Sequence, residues 1–126
     1  MHKKNKNNIN DKYDQNIIDA LKKLPVPLLT FDNHKVYFDI DKRKETIYEH
    51  VANKKHRFHV VDISQIQIIL KDKNSLKNDR YGVRYRTYFG HRKKNKEKKR
   101  FIKIVTTVKK NKNESIITIC TTKDKK

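Results

Sequence analysis

Four histidines and two arginines carry the groups in this sequence best suited to chemistry. His50 stands in the triplet Glu49-His50-Val51, His56 follows six residues later, His59 three beyond that, and His91 opens a basic stretch. An imidazole titrates near neutrality, so it can accept a proton from one oxygen and return one to another. Arg84 and Arg86 are two of seven arginines in a chain with 26 lysines, so their type is out of pattern. A guanidinium fork matches phosphate oxygens in a way that a lysine ammonium does not. Alternation puts Arg84, Arg86 and Tyr88 on one strand face, where cation and aromatic could grip phosphate and stack on an unpaired base. The plainer reading is a charged, exposed sheet face that keeps the protein soluble.

These residues need elements to hold them. Apolar residues Ile17, Ile18, Leu21 and Leu24 recur at helical spacing after Asp14, a suitable N-cap, and Pro25 and Pro27 end that helix. Leu28 to Phe31, the turn-forming Asp32-Asn33, and His34 to Ile40 read as a short hairpin. Asp41 can cap a second helix running to about Asn53, with Ile47, Tyr48 and Val51 on its buried side. On one straight α-helix His50 and His56 would point roughly 240° apart. They converge only if the helix ends between them, and Asn53-Lys54-Lys55 is a place for that. His59 to Leu70 fits a helix capped by Asp62 through Ile63, Ile66, Ile69 and Leu70, or a strand through Ile66, Ile68 and Leu70; the helix is preferred. Lys71 to Asp79 reads as a loop.

Three strand-like runs follow: Arg80 to Gly90, Phe101 to Lys110 and Glu114 to Thr122, the last two joined by the Asn111-Lys112-Asn113 turn. The expected architecture is α+β, with N-terminal helices packed on a C-terminal antiparallel meander. One domain over residues 13–122 is expected, flanked by basic tails at 1–12 and 123–126. Thr118 lies on the last strand, where its hydroxyl could bond a phosphate or simply suit a strand; for Thr122 the structural reading prevails.

The whole chain sets bounds on partners. Its 126 residues hold 33 Lys+Arg against 14 Asp+Glu, a net charge of +19. That excess favours polyanions, nucleic acid before anionic membrane. Lys, Asn and Ile supply 52 residues, the usage of an AT-rich genome, so where the cations sit says more than their number. The stretch from Arg92 to Arg100, including Lys93, Lys94, Lys98 and Lys99, would attract phosphates without reading sequence, or serve only as a solvated charge run. A single cysteine, Cys120, excludes an internal disulfide, and in an apolar strand it reads as an inert thiol. Two glycines exclude a phosphate-cradling loop. His56-x-x-His59 has ligand spacing, but no Cys or carboxylate pair completes a metal site, so neither metal nor cofactor is expected. No run is long enough to span a membrane. Met1 to Gln15 lacks an apolar core after its basic residues, so a cytoplasmic location is expected.

The order of Glu49-His50-Val51, His56, an apolar helix ending at Leu70, and a closing strand with Ile116-Ile117-Thr118-Ile119 resembles the phage-associated branch of the barnase–EndoU–colicin–RelE-like nuclease superfamily. The likeness runs from about Val36 to Thr122. Cys120 departs from it, standing where that group has Tyr. The resemblance implies a metal-independent, toxin-like ribonuclease. Such cleavage needs a base for the 2′-OH proton, an acid for the leaving 5′-oxygen, and fixed cations around the phosphorane. His50 and His56 suit the proton roles, Arg84 and Arg86 the cation role, and Thr118 a phosphate contact. Glu49 as base, and His59 or His91 as further proton carriers, are weaker candidates than solvated surface groups. Two other readings stay open: a non-catalytic nucleic-acid-binding module, and a phage structural protein or one that binds an acidic partner such as an inhibitor. Convergence of His50 and His56 with Arg84 or Arg86 in one cleft would favour the enzyme.

Overall fold

The computed structural model describes residues 12–40, 42, 44–55, 58–78, 84–92 and 100–122. Helix α1 (Gln15–Lys22) starts where Asp14 Oδ1 accepts the Asn16 amide at 2.9 Å, and it buries Ile17, Ile18 and Leu21. After Pro25 and Pro27 the chain forms strand β1 (Leu28–Leu29) and returns as β2 (Lys35–Tyr37). Asn33 takes a left-handed φ of 65° in the turn between them, a conformation that asparagine tolerates. Both strands are shorter than the sequence suggests: residues 30–34 are spent on the turn, and β2 ends at Tyr37, ahead of residues 38–40.

The second helix is present, but its winding is π: residues Lys44–Ala52 form a π-helix. Just past its end, the Asn53 amide donates to the Tyr48 carbonyl five residues back, at 2.9 Å. Ile47, Tyr48, Val51 and Ala52 are buried, and the helix ends before residue 53, as convergence of His50 with His56 would require. Asp41 and His56 lie outside the described residues.

The ambiguous segment is helix α2 (Val60–Lys71). It buries Ile63, Ile66, Ile69 and Leu70 and leaves Ile68 58% exposed, a pattern that a strand reading would violate. It starts before the expected cap. His59 is the N-cap residue, and Asp62, inside the first turn, accepts the His59 amide at 2.8 Å. The expected loop after it contains structure: a 3₁₀ turn at Lys73–Ser75 and strand β3 (Leu76–Asn78). Strands β4 (Tyr85–His91), β5 (Phe101–Val108) and β6 (Glu114–Thr122) complete the sheet. Lys112, at φ 71°, makes the tight turn between the last two.

The protein is thus α+β, with a mixed sheet in the order β1-β2-β6-β5-β4-β3. All neighbours are antiparallel except β2 and β6, which run parallel through Val36↔Glu114 and Tyr37↔Ser115. Val36, Arg86, Tyr88, Ile102, Ile104, Thr106, Glu114, Ile116 and Ile119 point toward the helices and are buried. Gly90 lies on the same face, where a Cβ would stand 2.2 Å from Ile69 Cγ1; α2 can therefore press against β4 only because this residue is glycine. In β6, Ile116 pairs with Thr106 and Thr118 with Val105, so Ile117 is an extra, bulged residue. That bulge lets both Ile116 and Ile119 face the core. No helix among the described residues is long and apolar enough to cross a membrane.

Candidate functional site

The division of β4 into two faces matches the alternation in the sequence, but their orientation is reversed. Arg86 and Tyr88 point under the helices instead of toward solvent. Arg86 Nη1 donates to Asp32 Oδ1 at 3.1 Å and to Glu114 Oε2 at 2.8 Å, while Nη2 donates to Asp32 Oδ2 at 2.6 Å. Tyr88 and Thr106 each give a hydroxyl hydrogen bond of 2.8 Å to Glu114 Oε1. His34 Nδ1 sits 2.7 Å from Glu114 Oε2, and its Nε2 faces Asp32 at 3.5 Å. Asp32 and His34 reach the cluster because the β1–β2 turn carries them both, and the parallel docking of β2 on β6 brings that turn over Glu114.

The electrostatics follow from these contacts. The Arg86 hydrogen bonds hold the Asp32 carboxyl well below the usual carboxylate range, against partial burial. Burial works against the Arg86 charge, but the bonds to Asp32 and Tyr88 and the Glu114 charge more than offset it, so its affinity for the proton rises. Burial, then the Glu114 charge, pushes the Tyr88 phenol up. The Glu114 side chain is 0% exposed and that of Arg86 7%, so a phosphate would have to displace Asp32 to reach the guanidinium. Asp32, His34 and Glu114 offer ligand atoms within 4.8 Å of one another. The guanidinium bonded to both carboxylates occupies the charge that a metal ion would need. The cluster fastens the hairpin to the sheet, and Arg86 and Tyr88 are therefore not an exposed phosphate grip.

Arg92 is also corrected. Its Nη2 donates to Asp62 Oδ2 at 2.7 Å and its Nε at 3.2 Å, both side chains are buried, and the guanidinium lies over the Phe58 ring. It anchors the start of α2 to the end of β4 and is not free to attract phosphates. Lys93, Lys94, Lys98 and Lys99 lie outside the described residues. Arg84, just ahead of β4, keeps an exposed side chain while its carbonyl accepts the Val108 amide.

Neither His50, on the π-helix, nor Thr118, on β6, is bonded to the Arg86 cluster among the contacts of the described residues. β2 covers the edge of β6 only at Glu114 and Ser115; farther along, the π-helix packs against this strand. Thr46 Oγ1 donates to the carbonyl of the bulged Ile117 at 3.2 Å. In a helix wound i→i+5, residues four apart stay on one side, so His50 follows Thr46 along the side that meets β6. His50 is exposed, and Thr118, next to the bulge, points to the sheet face away from the helices. Glu49, the weaker candidate base, is bound by Lys12 at 2.9 Å and by the Tyr13 hydroxyl at 2.9 Å; these bonds hold its carboxyl below the ordinary range. His59 caps α2 at its exposed start, and the His91 ring packs at a tilt against Phe101 with ring centroids 4.8 Å apart.

The sheet face away from the helices bears Thr87, Phe89 and His91 of β4, Phe101, Lys103 and Val105 of β5, and Thr118, Cys120 and Thr122 of β6. Cys120 is half-buried; burial pushes its thiol up and the neighbouring Lys103 charge pulls it partly back. Asp32, His34 and Glu114 are the residues that sequence reasoning passed over. The available signal was Glu114, an acid opening a strand of otherwise apolar and hydroxyl residues, which had to find a buried cation. Comparison of the chain with models of known families, with curated proteins and with solved structures finds no match.

Proposed function

We propose that this protein is a metal-independent endoribonuclease whose reactive centre lies where the π-helix meets the bulge of β6. What carries the reading is the junction itself: the His50 motif sits on a π-helix tied through Thr46 to Ile117, beside Thr118. π-Helical turns and β-bulges both accompany functional sites because each re-aims side chains at a cost in regular hydrogen bonding. The resemblance of Glu49-His50-Val51 and Ile116-Ile117-Thr118-Ile119 to phage-linked nucleases supports the same two elements. In the reaction a base removes the 2′-OH proton, the 2′-oxygen bonds to phosphorus, and the phosphorus–O5′ bond breaks. An acid then supplies the proton to O5′, leaving a 2′,3′-cyclic phosphate and a 5′-hydroxyl. His50 takes one proton role and His56 the other, while Arg84, Lys103 and the lysines of residues 93–99 balance phosphate charge.

Arg86 favours a second reading, a non-catalytic RNA-binding module, because the guanidinium expected beside the histidines is committed to Asp32 and Glu114. Incubation of pure protein with RNA in EDTA separates the two. Fragments ending in 2′,3′-cyclic phosphate, lost in a folded His50→Ala variant, support the enzyme. Tight, salt-sensitive binding with no fragments overturns it in favour of the binder.

A further inference from the structure

The face of the sheet turned away from the helices has a composition that the nuclease reading does not require. Following the register across four strands, Tyr37, Ser115, Thr107 and Tyr85 form one continuous row. The two tyrosines at its ends are 38% and 54% exposed, so a face of each ring is open to solvent. Three inter-strand spacings separate them, about 14 Å. Behind this row come Thr87, Val105 and Thr118, then Phe89, Lys103 and Cys120, then His91, Phe101 and Thr122. The Lys103 ammonium lies over the Phe89 ring, and the His91 ring packs against Phe101 at a tilt of 50°. Among the described strand residues the one carboxylate is Glu114, and it points to the opposite face, into the Arg86 cluster. The face therefore offers the exposed rings of Tyr37 and Tyr85, a row of hydroxyls and the Lys103 ammonium, with no acidic strand side chain to repel a polyanion; Phe89, farther along it, is covered and 4% exposed.

We propose that this face is a docking platform for the unpaired bases of single-stranded RNA, with Tyr37 and Tyr85 as its stacking residues. The inference rests on the reading that the protein acts on RNA, and it adds which form of RNA. An aromatic ring can stack on a base only when that base is unpaired and splayed out; in a duplex the base faces are covered. The hydroxyls of Ser115 and Thr107 between the tyrosines can donate to or accept from base edges and 2′-oxygens. Lys103 and the basic surface contribute charge along the backbone. A protein partner fits less well, because the two exposed rings stand about 14 Å apart with hydroxyls between them, and the Phe89 ring is already covered.

The test separates binding from cleavage. A short fluorescein-labelled 2′-O-methyl strand cannot undergo 2′-OH attack, so its anisotropy reads docking alone. Tyr85→Ala and Tyr37→Ala should each weaken binding of this strand about 10-fold, and Tyr85→Trp should retain it. Ile68→Ala, at an exposed position on the helix side, should bind as wild type. The same strand annealed to its complement should bind at least about 10-fold more weakly than it does alone. Binding of both tyrosine variants, shown folded by thermal melts, within about twofold of wild type would overturn the proposal. Equal affinity for strand and duplex would also overturn it. Loss of docking in the tyrosine variants of a protein that yields no cyclic-phosphate fragments would retain the platform and reject the enzyme; cyclic-phosphate cleavage by a protein whose docking neither tyrosine affects would do the reverse.

Discussion

Replacing Arg86 with methionine keeps the bulk of the side chain and removes its charge. In the wild type this guanidinium is bonded to Asp32 and to Glu114, whose side chain is 0% exposed. Asp32 is 32% exposed and can turn toward water, so Glu114 carries most of the penalty. Breaking a buried pair by removing one partner costs about 3–5 kcal/mol, since the other charge is left without compensation. For a domain of this size that is a fall in Tm of at least about 12 °C. Asp32, held below its ordinary value of 3.8 by Arg86, contributes stability that is full above about pH 4. That contribution is lost as pH falls toward the depressed native value. The Tm gap between wild type and Arg86→Met should therefore be widest near neutrality and narrow below pH about 4. Thermal melts followed by circular dichroism at pH 7 and pH 3, with RNA binding measured well below both melting temperatures, check this. A folded variant that melts within about 3 °C of wild type at neutral pH and has lost RNA binding would refute the structural role of Arg86.

His50→Ala should lower cleavage by about 10²–10⁴-fold, the usual contribution of one general acid or base, in a single-turnover assay with RNA. His34→Ala should leave cleavage by the folded protein intact but cost about 1–3 kcal/mol in a denaturant melt, because the Glu114 oxygen 2.7 Å from its Nδ1 loses a partner. Gly90→Ala should destabilise by about 1–3 kcal/mol through overlap with Ile69, and pairing it with Ile69→Ala should recover part of that loss. Changing Lys93, Lys94, Lys98 and Lys99 to Gln should flatten the dependence of log affinity on log salt by about 0.7 for each single-strand phosphate contact removed; an unchanged slope would exclude these residues from the interface.

Elements with strong local signals were legible in the sequence. Asp14 with Ile17, Ile18 and Leu21 specified α1, the two prolines its end, and Asn111-Lys112-Asn113 the last hairpin. The π winding of residues 44–52 was not legible, because Ile47, Tyr48 and Val51 satisfy an α-helical reading equally well and the choice depends on packing against β6. Strand β3 was missed for a related reason: Leu76-Lys77-Asn78 is too short to show alternation, and its pairing with β4 is a tertiary event. The orientation of β4 was hardest. Tyr85 and Phe89 look more like core residues than Arg86 does, and only Asp32 and Glu114, distant in sequence, make a buried Arg86 affordable. For the candidate site, the residue types of His50 and Thr118 were visible, but the tie from Thr46 to the bulged Ile117, which joins their two elements, was not.

The parallel pairing of β2 with β6 also sets an order of events for the chain. His34 and its partner Glu114 are 80 residues apart in sequence, and the strand pairing that docks the first hairpin on the sheet crosses that same interval, while Asp32 reaches Arg86 across 54. Joining segments so distant costs loop-closure entropy before any contact repays it, so this step should come late and slowly in folding. During synthesis Arg86 meets Asp32 once β4 has emerged, but the strand pairing of the hairpin with the sheet and the inner side of the π-helix must wait for β6. Until then Asp32 and Arg86 lack Glu114, and Thr46 lacks the Ile117 carbonyl that ties the π-helix to the strand. If cleavage depends on that tie, a ribosome-bound fragment ending before β6 is inactive, and the nascent chain is harmless to the RNA that encodes it.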